Sequence, residues 1–235
     1  MVEVAIMVKL WLKTLSTTYN ASGAAAAARQ GDVVMIVDVI DMSTTAEAAL
    51  EAGAISVLGA SPDHQLVPVT VNPEKIGYYA GKKAIKHDTG VIIAAEPRLI
   101  NDEDERLSEI QQVLRGVDRA GAEVLEIVPN IGREVVQLTD FAGKVLVIVS
   151  PSGGTAYDAA YNYGAPEIIT GTVARTNERN GNLTAEDAAR RAIESASRLK
   201  CGISVVAASS NSMEDIQAAQ YICQLIINQG FLNME

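Results

Sequence analysis

Aromatic side chains are scarce in this chain: two phenylalanines, one tryptophan and seven tyrosines among 235 residues. So few rings make a base-stacking surface an unpromising reading. The core has to be filled by alanine and β-branched residues, which suits helices packed closely on a sheet. Positive charge is short as well, with 19 Lys and Arg against 29 Asp and Glu and a net charge of −10. That balance removes non-specific attraction to a phosphate backbone, so nucleic acid is a poor partner and an anionic ligand would have to be caught locally. Only two cysteines occur, Cys201 and Cys223, without a CxxC pair. They read as reduced, buried thiols, not as a disulfide framework or a zinc site. No apolar run reaches the roughly 18 residues of a membrane span, and the opening MVEVAIMVKLWLK carries Glu3 with no basic segment ahead of it. No membrane association and a cytoplasmic location are the expectations. The nucleotide and hydrolase motifs GxxxxGK[ST], GxGxxG and GxSxG are missing, and the only histidines, His64 and His87, read as surface residues.

What the chain does have is a 48% hydrophobic content and apolar runs of four to eight residues alternating with segments of helical period. This is the pattern of parallel strands buried on both faces and joined by crossover helices. It predicts strands at Val4–Leu10, Val33–Val39, Ser56–Leu58, Val91–Ala95, Glu123–Val128, Val145–Val149, Glu167–Thr170 and Ile203–Ala207. Helices are predicted at Ser22–Gln30, Thr45–Ala52, Asn72–Ile85, Asp102–Ala120, Tyr157–Tyr163, Thr184–Leu199 and Met213–Asn228. The fold class is a layered α/β/α domain with a largely parallel or mixed sheet, residues 1–235. VVMIVDV with STTAEAALEAGAISVL parallels VLVIVSP with GGTAYDAAYNYGAPEII, which leaves open either one undivided domain or two similar halves, about 1–130 and 131–235. The apolar carboxyl end, CQLIINQGFLNM, offers a surface for a homodimer or higher oligomer.

In open α/β sheets the ligand crevice lies beyond the carboxyl ends of the strands, where helix N-termini point their amides. Three junctions there are rich in hydroxyls and small residues: Asp38–Thr45 (DVIDMSTT), Ser150–Thr155 (SPSGGT) and Ala208–Asp215 (ASSNSMED). Ordinary caps and turns use the same residues. Asp38 stands apart because a carboxylate at the end of a buried strand requires a partner. Turn hydrogen bonds would supply one, and so would magnesium shared with Glu214 or Asp215. Arg175 and Arg179, in GTVARTNERNG, are the cationic candidates for holding an anion.

The run IVDVIDMSTTAEAALEAGA resembles the hallmark of the 2-phosphosulfolactate phosphatase (ComB-like) family, in which a strand ending Asp-Val leads into Leu-Arg-Ala-Thr/Ser-Thr and a helix ending Gly-Ala. SPSGGTAYDAA is similar to that family's Asn-Gly-Thr-Arg-Ala turn, and MEDIQAAQYI to its Glu-Asp-x-x-x-Ala-Gly element. The resemblance implies an α/β protein that uses Mg2+ to hydrolyse the phosphate ester of a sulfonated hydroxy acid in coenzyme M biosynthesis. Two family arginines are replaced here, by Asp41 and by Ala156. On this reading Asp38 and Asp215 are catalytic, Asp38, Glu214 and Asp215 hold Mg2+, and Ser43, Thr44, Thr45, Gly153, Gly154, Thr155 and Arg175 bind a small anionic substrate. Attack by water and a covalent route through Asp38 both fit. The missing arginines keep two alternatives open: a small-molecule-binding relative without catalysis, and an enzyme for a less anionic or cationic substrate.

Overall fold

The computed structural model describes residues 12–98 and 103–233. The predicted strand at Val4–Leu10 lies outside the described residues. Among the described residues eight strands are seen: β1 (Leu15–Tyr19), β2 (Val33–Val37), β3 (Ser56–Ala60), β4 (Val91–Ala95), β5 (Val124–Pro129), β6 (Val145–Val149), β7 (Ile168–Gly171) and β8 (Ile203–Ala207). The helices are α1 (Asn20–Gln30), α2 (Met42–Glu51), α3 (Pro73–Lys86), α4 (Glu103–Ser108), α5 (Gln111–Ala120), α6 (Gly153–Asn162), α7 (Gly181–Leu199) and α8 (Met213–Asn228), with a 3-10 turn at Gly132–Gln137.

Every strand pairing is parallel, in two four-stranded sheets of order β1-β8-β2-β7 and β3-β6-β4-β5. The sequence explains which strands lie inside. VVMIV, VIIAA, VLVIV and ISVVA are fully buried and form the four inner strands, as continuous apolar runs do when helices cover both faces. LSTTY, SVLGA, VLEIVP and IITG mix polar with apolar residues and lie at the edges. One apolar cluster links the sheets, from Val34 and Ile36 in β2 to Leu146 and Ile148 in β6.

The two sheets repeat each other. Read from the outer edge, β1-β8-β2-β7 corresponds to β5-β4-β6-β3. Strand β2 leads through α2 into β3, the edge of the other sheet, and β6 leads through α6 into β7, the edge of the first. By this correspondence β1–β4 forms one unit and β5–β8 the other, and the units exchange strands, each contributing two to each sheet. One sheet combines strands from both ends of the chain, and the other is built from strands in its middle. The matching positions include Met42 with Gly153, Thr44 with Thr155, and the left-handed Gly53 with Gly164 at the two helix exits.

Elsewhere the predicted elements shift in ways that have local causes. The single helix expected at Asp102–Ala120 is two, α4 and α5, separated at Glu109 and Ile110. Helices α3 and α5 touch backbone to backbone, because a Cβ on Gly116 would sit 2.1 Å from the Glu74 carbonyl oxygen. Thr184 lies inside α7 and bonds back to the Asn180 carbonyl, whereas Ser212 caps α8 by accepting from the Asp215 amide at 3.2 Å. The carboxyl-terminal apolar run is largely core: Ile222, Cys223, Ile226 and Phe231 are buried under β8 and β2.

Candidate functional site

The strand exchange brings the N-termini of α2 and α6 together beyond the ends of β2 and β6. Their N-cap residues, Asp41 and Ser152, are equivalent and share one backbone geometry, φ −102° and ψ −86° against φ −105° and ψ −84°. Neither side chain caps its own helix. An N-cap serine or aspartate ordinarily accepts from an amide of the following turn, so both side chains are free for other work. Ser152 Oγ approaches Asp41 Oδ2 at 3.4 Å, directly joining the two helix starts.

Asp38 supplies the capping that those residues do not. Its Oδ2 accepts from Ser152 Oγ and from the Gly153 amide, both at 2.7 Å, while Oδ1 accepts from the Asp41 amide at 3.1 Å. A single carboxylate therefore serves as the anion for two helix N-termini, where the helix dipoles favour negative charge. Gly153 makes this approach possible, since a Cβ there would stand 2.4 Å from Asp38 Oδ2. Burial pushes the Asp38 carboxyl above the ordinary aspartate range, against the opposing pull of its bonds from Ser152, Gly153 and Met42 and of the Arg98 charge. The acid that looked isolated in the sequence is the most heavily bonded group of the junction.

The predicted hydroxyls converge on the same region but point into the scaffold. Ser43 Oγ accepts from the Asp38 amide and donates to the Ile36 carbonyl, both at 3.0 Å. Thr44 donates to the Val39 carbonyl at 2.5 Å and meets Thr172 at 3.1 Å; its counterpart Thr155 repeats the pattern with the Ser150 carbonyl and Ser61, each at 3.2 Å. Thr45 donates to Asn130 Oδ1 at 2.6 Å. Gly154 permits close packing on β3, a Cβ there lying 2.2 Å from the Ala60 carbonyl oxygen, and its amide goes to Ser150 Oγ. Arg175 is exposed on the loop after β7, while Arg179 is held by Asp187 at 2.9 Å.

Asp215 does reach the junction from α8. Its Oδ1 accepts from the Val39 amide at 2.9 Å, and its pKa is pushed up to about 6, by burial first and then by the Asp38 charge against the Val39 bond. Glu214 faces outward, exposed, beside the Ser212 hydroxyl. This donor set does not make a magnesium cage. The Asp38 oxygens and Asp215 Oδ1 already hold protein donors, Glu214 lies apart, and among the described residues no three His, Cys, Asp or Glu side chains are placed to hold a metal.

Four features of the site escape the sequence reading. Ser152 is partly exposed and hydrogen-bonded to a buried carboxylate. Arg98, just past β4, pairs with Asp41 and donates to the Ile40 carbonyl at 2.9 Å, so a cation stands beside the position where the resemblance leads one to expect an arginine. Glu96, beside Asn130, has its pKa raised by burial and then by the Asp38 charge. Finally, the first turn of α1 has no side-chain cap and no acid. It borders a cavity of about 300 Å3 shared with Gln65, Ser152, Thr155 and Ser209. The only signal available for these in the sequence is position: each lies at the carboxyl end of a strand.

Neither the protein-family models nor the curated proteins contain a match to this chain.

Proposed function

We propose that the strand-end crevice is the active site of a hydrolase acting on a small phosphorylated acid. The observation that carries this reading is the cavity at the N-terminus of α1. The first turn of α1, which has no side-chain cap, lines this space of about 300 Å3 together with Ser152 and Ser209, a volume sufficient for a phosphate and a short carbon skeleton. Helix amides of this kind stabilise phosphate oxygens, and they do so more strongly as negative charge builds up on them in a transition state. Arg98 adds positive charge to a crevice otherwise dominated by Asp38, Asp41, Glu96 and Asp215. The resemblance to 2-phosphosulfolactate phosphatases supports the same reaction class and puts a sulfonated hydroxy acid among the candidate substrates. No step runs through a metal held by the protein; magnesium enters as the counter-ion of the substrate's phosphate. The test is phosphate release from a panel of phosphorylated hydroxy acids, including phosphosulfolactate, with and without magnesium. Folded protein that releases no phosphate from any of them under either condition would reject the reading.

A second reading follows from the same geometry. Asp38 already occupies the two converging helix starts, so the surface it backs is acidic, and an amine-bearing small molecule would meet carboxylates there. Retention of amines, with no turnover of phosphate esters, in the same panel would favour it.

The protein is further proposed to form a homo-oligomer through the outer face of α8 and the turn that follows, where Tyr221, Ile227 and Leu232 are exposed. Light scattering at tens of micromolar should give about twice the 24.9 kDa chain mass. A monomer mass would remove the proposal. Among the described residues no helix is long and apolar enough to cross a membrane.

A further inference from the structure

We propose that Ser152 is the nucleophile of this site, with Asp38 as its general base, so that turnover passes through a phosphoserine. The inference rests on the phosphatase reading for the identity of the electrophile, and on geometry for the serine itself. Ser152 is the N-cap of α6, a position where a serine ordinarily turns its oxygen back on the helix to accept an amide. Here that service is taken over by Asp38, which receives the Gly153 amide, and by Ser150, which receives the Gly154 amide at 2.9 Å. Released from capping, Ser152 Oγ donates its proton to Asp38 Oδ2 at 2.7 Å. This matches the contact a nucleophile and its base require before reaction. The base is in turn oriented by a third group, since the Asp41 amide holds Oδ1.

Accessibility divides the pair as a mechanism requires. Asp38 is buried, whereas Ser152 is partly exposed and lines the cavity beneath the first turn of α1. A phosphate bound by those amides would present its phosphorus to Ser152 Oγ, with the carboxylate behind the serine and away from the substrate's charge. Other hydroxyls of the crevice are less suited: Ser43, Thr44, Thr45 and Thr155 are buried and their protons go to scaffold acceptors.

The step balances with one base. Ser152 Oγ bonds to phosphorus as the ester P–O bond breaks. Its proton passes to Asp38, which returns it to the departing alkoxide. Water then attacks the phosphoserine and the Ser152 O–P bond breaks; the proton from water travels through Asp38 to the Ser152 oxygen as inorganic phosphate leaves. One water is consumed, no electrons are transferred, and both residues end as they began.

The experiment is intact-mass analysis of the full chain, acid-quenched during turnover of 4-nitrophenyl phosphate, with peptide mapping. Diisopropyl fluorophosphate provides a second electrophile that does not depend on substrate recognition. The expected results are a phosphoryl adduct on Ser152, phosphate release reduced at least about a hundredfold in Ser152→Ala, as loss of an acting nucleophile requires, and no adduct in Asp38→Asn. Phosphate release without an adduct, persisting in a folded Ser152→Ala, would overturn the serine and leave the phosphatase reading standing with water as nucleophile. Labelling of Ser152 by the fluorophosphate in wild type but not in Asp38→Asn, with no phosphate released from any ester, would uphold the serine and reject the phosphatase. Neither labelling nor release would reject both.

Discussion

Asp38→Asn is expected to reduce turnover by at least about a hundredfold, the lower end of what a positioned general base contributes. The substitution keeps the shape of the side chain and removes its capacity to take a proton. It also disturbs the hydrogen bonding, because the Asp38 oxygens are held by donors, among them Ser152 Oγ and the amides of Gly153 and Asp41. An amide group can satisfy them with its oxygen on one side only, leaving its NH2 opposed to a donor on the other. Some loss of stability should therefore accompany the loss of rate, and urea denaturation of the variant separates the two. Activity and stability should also respond to pH in opposite senses. The rate needs the carboxylate, so it should rise as Asp38 loses its proton, with a midpoint above the ordinary aspartate value because burial raises the pKa. For stability the folded-state pKa is the higher one, so the folded protein holds the proton more tightly than the unfolded chain. That contribution is fully present below 3.8, the ordinary value, and is lost as pH rises through the raised one. A variant that turned over at the wild-type rate, with an unchanged pH profile, would remove Asp38 from the chemistry.

The legible and illegible parts of this protein divide by the range of the interactions. The inner strands β4, β6 and β8 were readable to the residue because a five-residue apolar run carries its own burial signal. Edge strand β1, LSTTY, was not readable, because hydroxyl-rich segments look like turns and only pairing with β8 makes this one a strand. The starts of α2 and α6 fall earlier than the sequence suggests, at Met42 and Gly153 in place of Thr45 and Tyr157. Local rules look for a cap immediately ahead of the helix, and here the capping carboxylate of α6 comes from Asp38 across the repeat. The two residues joined by the Ser152–Asp38 bond are 114 apart in the chain. Similarly, Arg98 gave no sign of its role, since it follows a different strand from the Asp41 it neutralises. Asp38 itself could be singled out from the sequence because the cost of a carboxylate at the end of a buried strand is a local fact. Its partners could not, because the exchange of edge strands decides them.

The largest loss of stability is expected from Arg191→Met, about 3–5 kcal/mol at neutral pH by the usual cost of stranding a buried charge. Arg191, on α7, donates to Glu47 Oε1 at 2.7 Å and to the Thr170 carbonyl at 3.1 Å, while Thr170 Oγ1 donates to the same Glu47 oxygen at 2.7 Å. Glu47 comes from α2, the crossover that carries the chain from one sheet to the other, and its side chain is only 4% exposed. The three residues therefore tie α2, β7 and α7 at the place where the units exchange strands. Removing the arginine leaves Glu47 with Thr170 alone. Burial already pushes the Glu47 pKa up with Arg191 beside it, and without that charge it must rise further. The sign of the pH dependence follows, because a raised folded-state pKa means that the folded variant gains protons relative to the unfolded chain as pH falls. The deficit of Arg191→Met should be largest near pH 7 and shrink toward pH 5. Adding Glu47→Met should recover much of the loss, since a buried ion pair replaced by apolar groups of similar volume is often neutral or stabilising. Urea denaturation of the single and double variants at both pH values measures each term. A single variant within about 1 kcal/mol of wild type at pH 7, the range of an exposed ion pair, would show that Glu47 is held neutral by burial and Thr170, and that Arg191 is not its stabilising counter-charge.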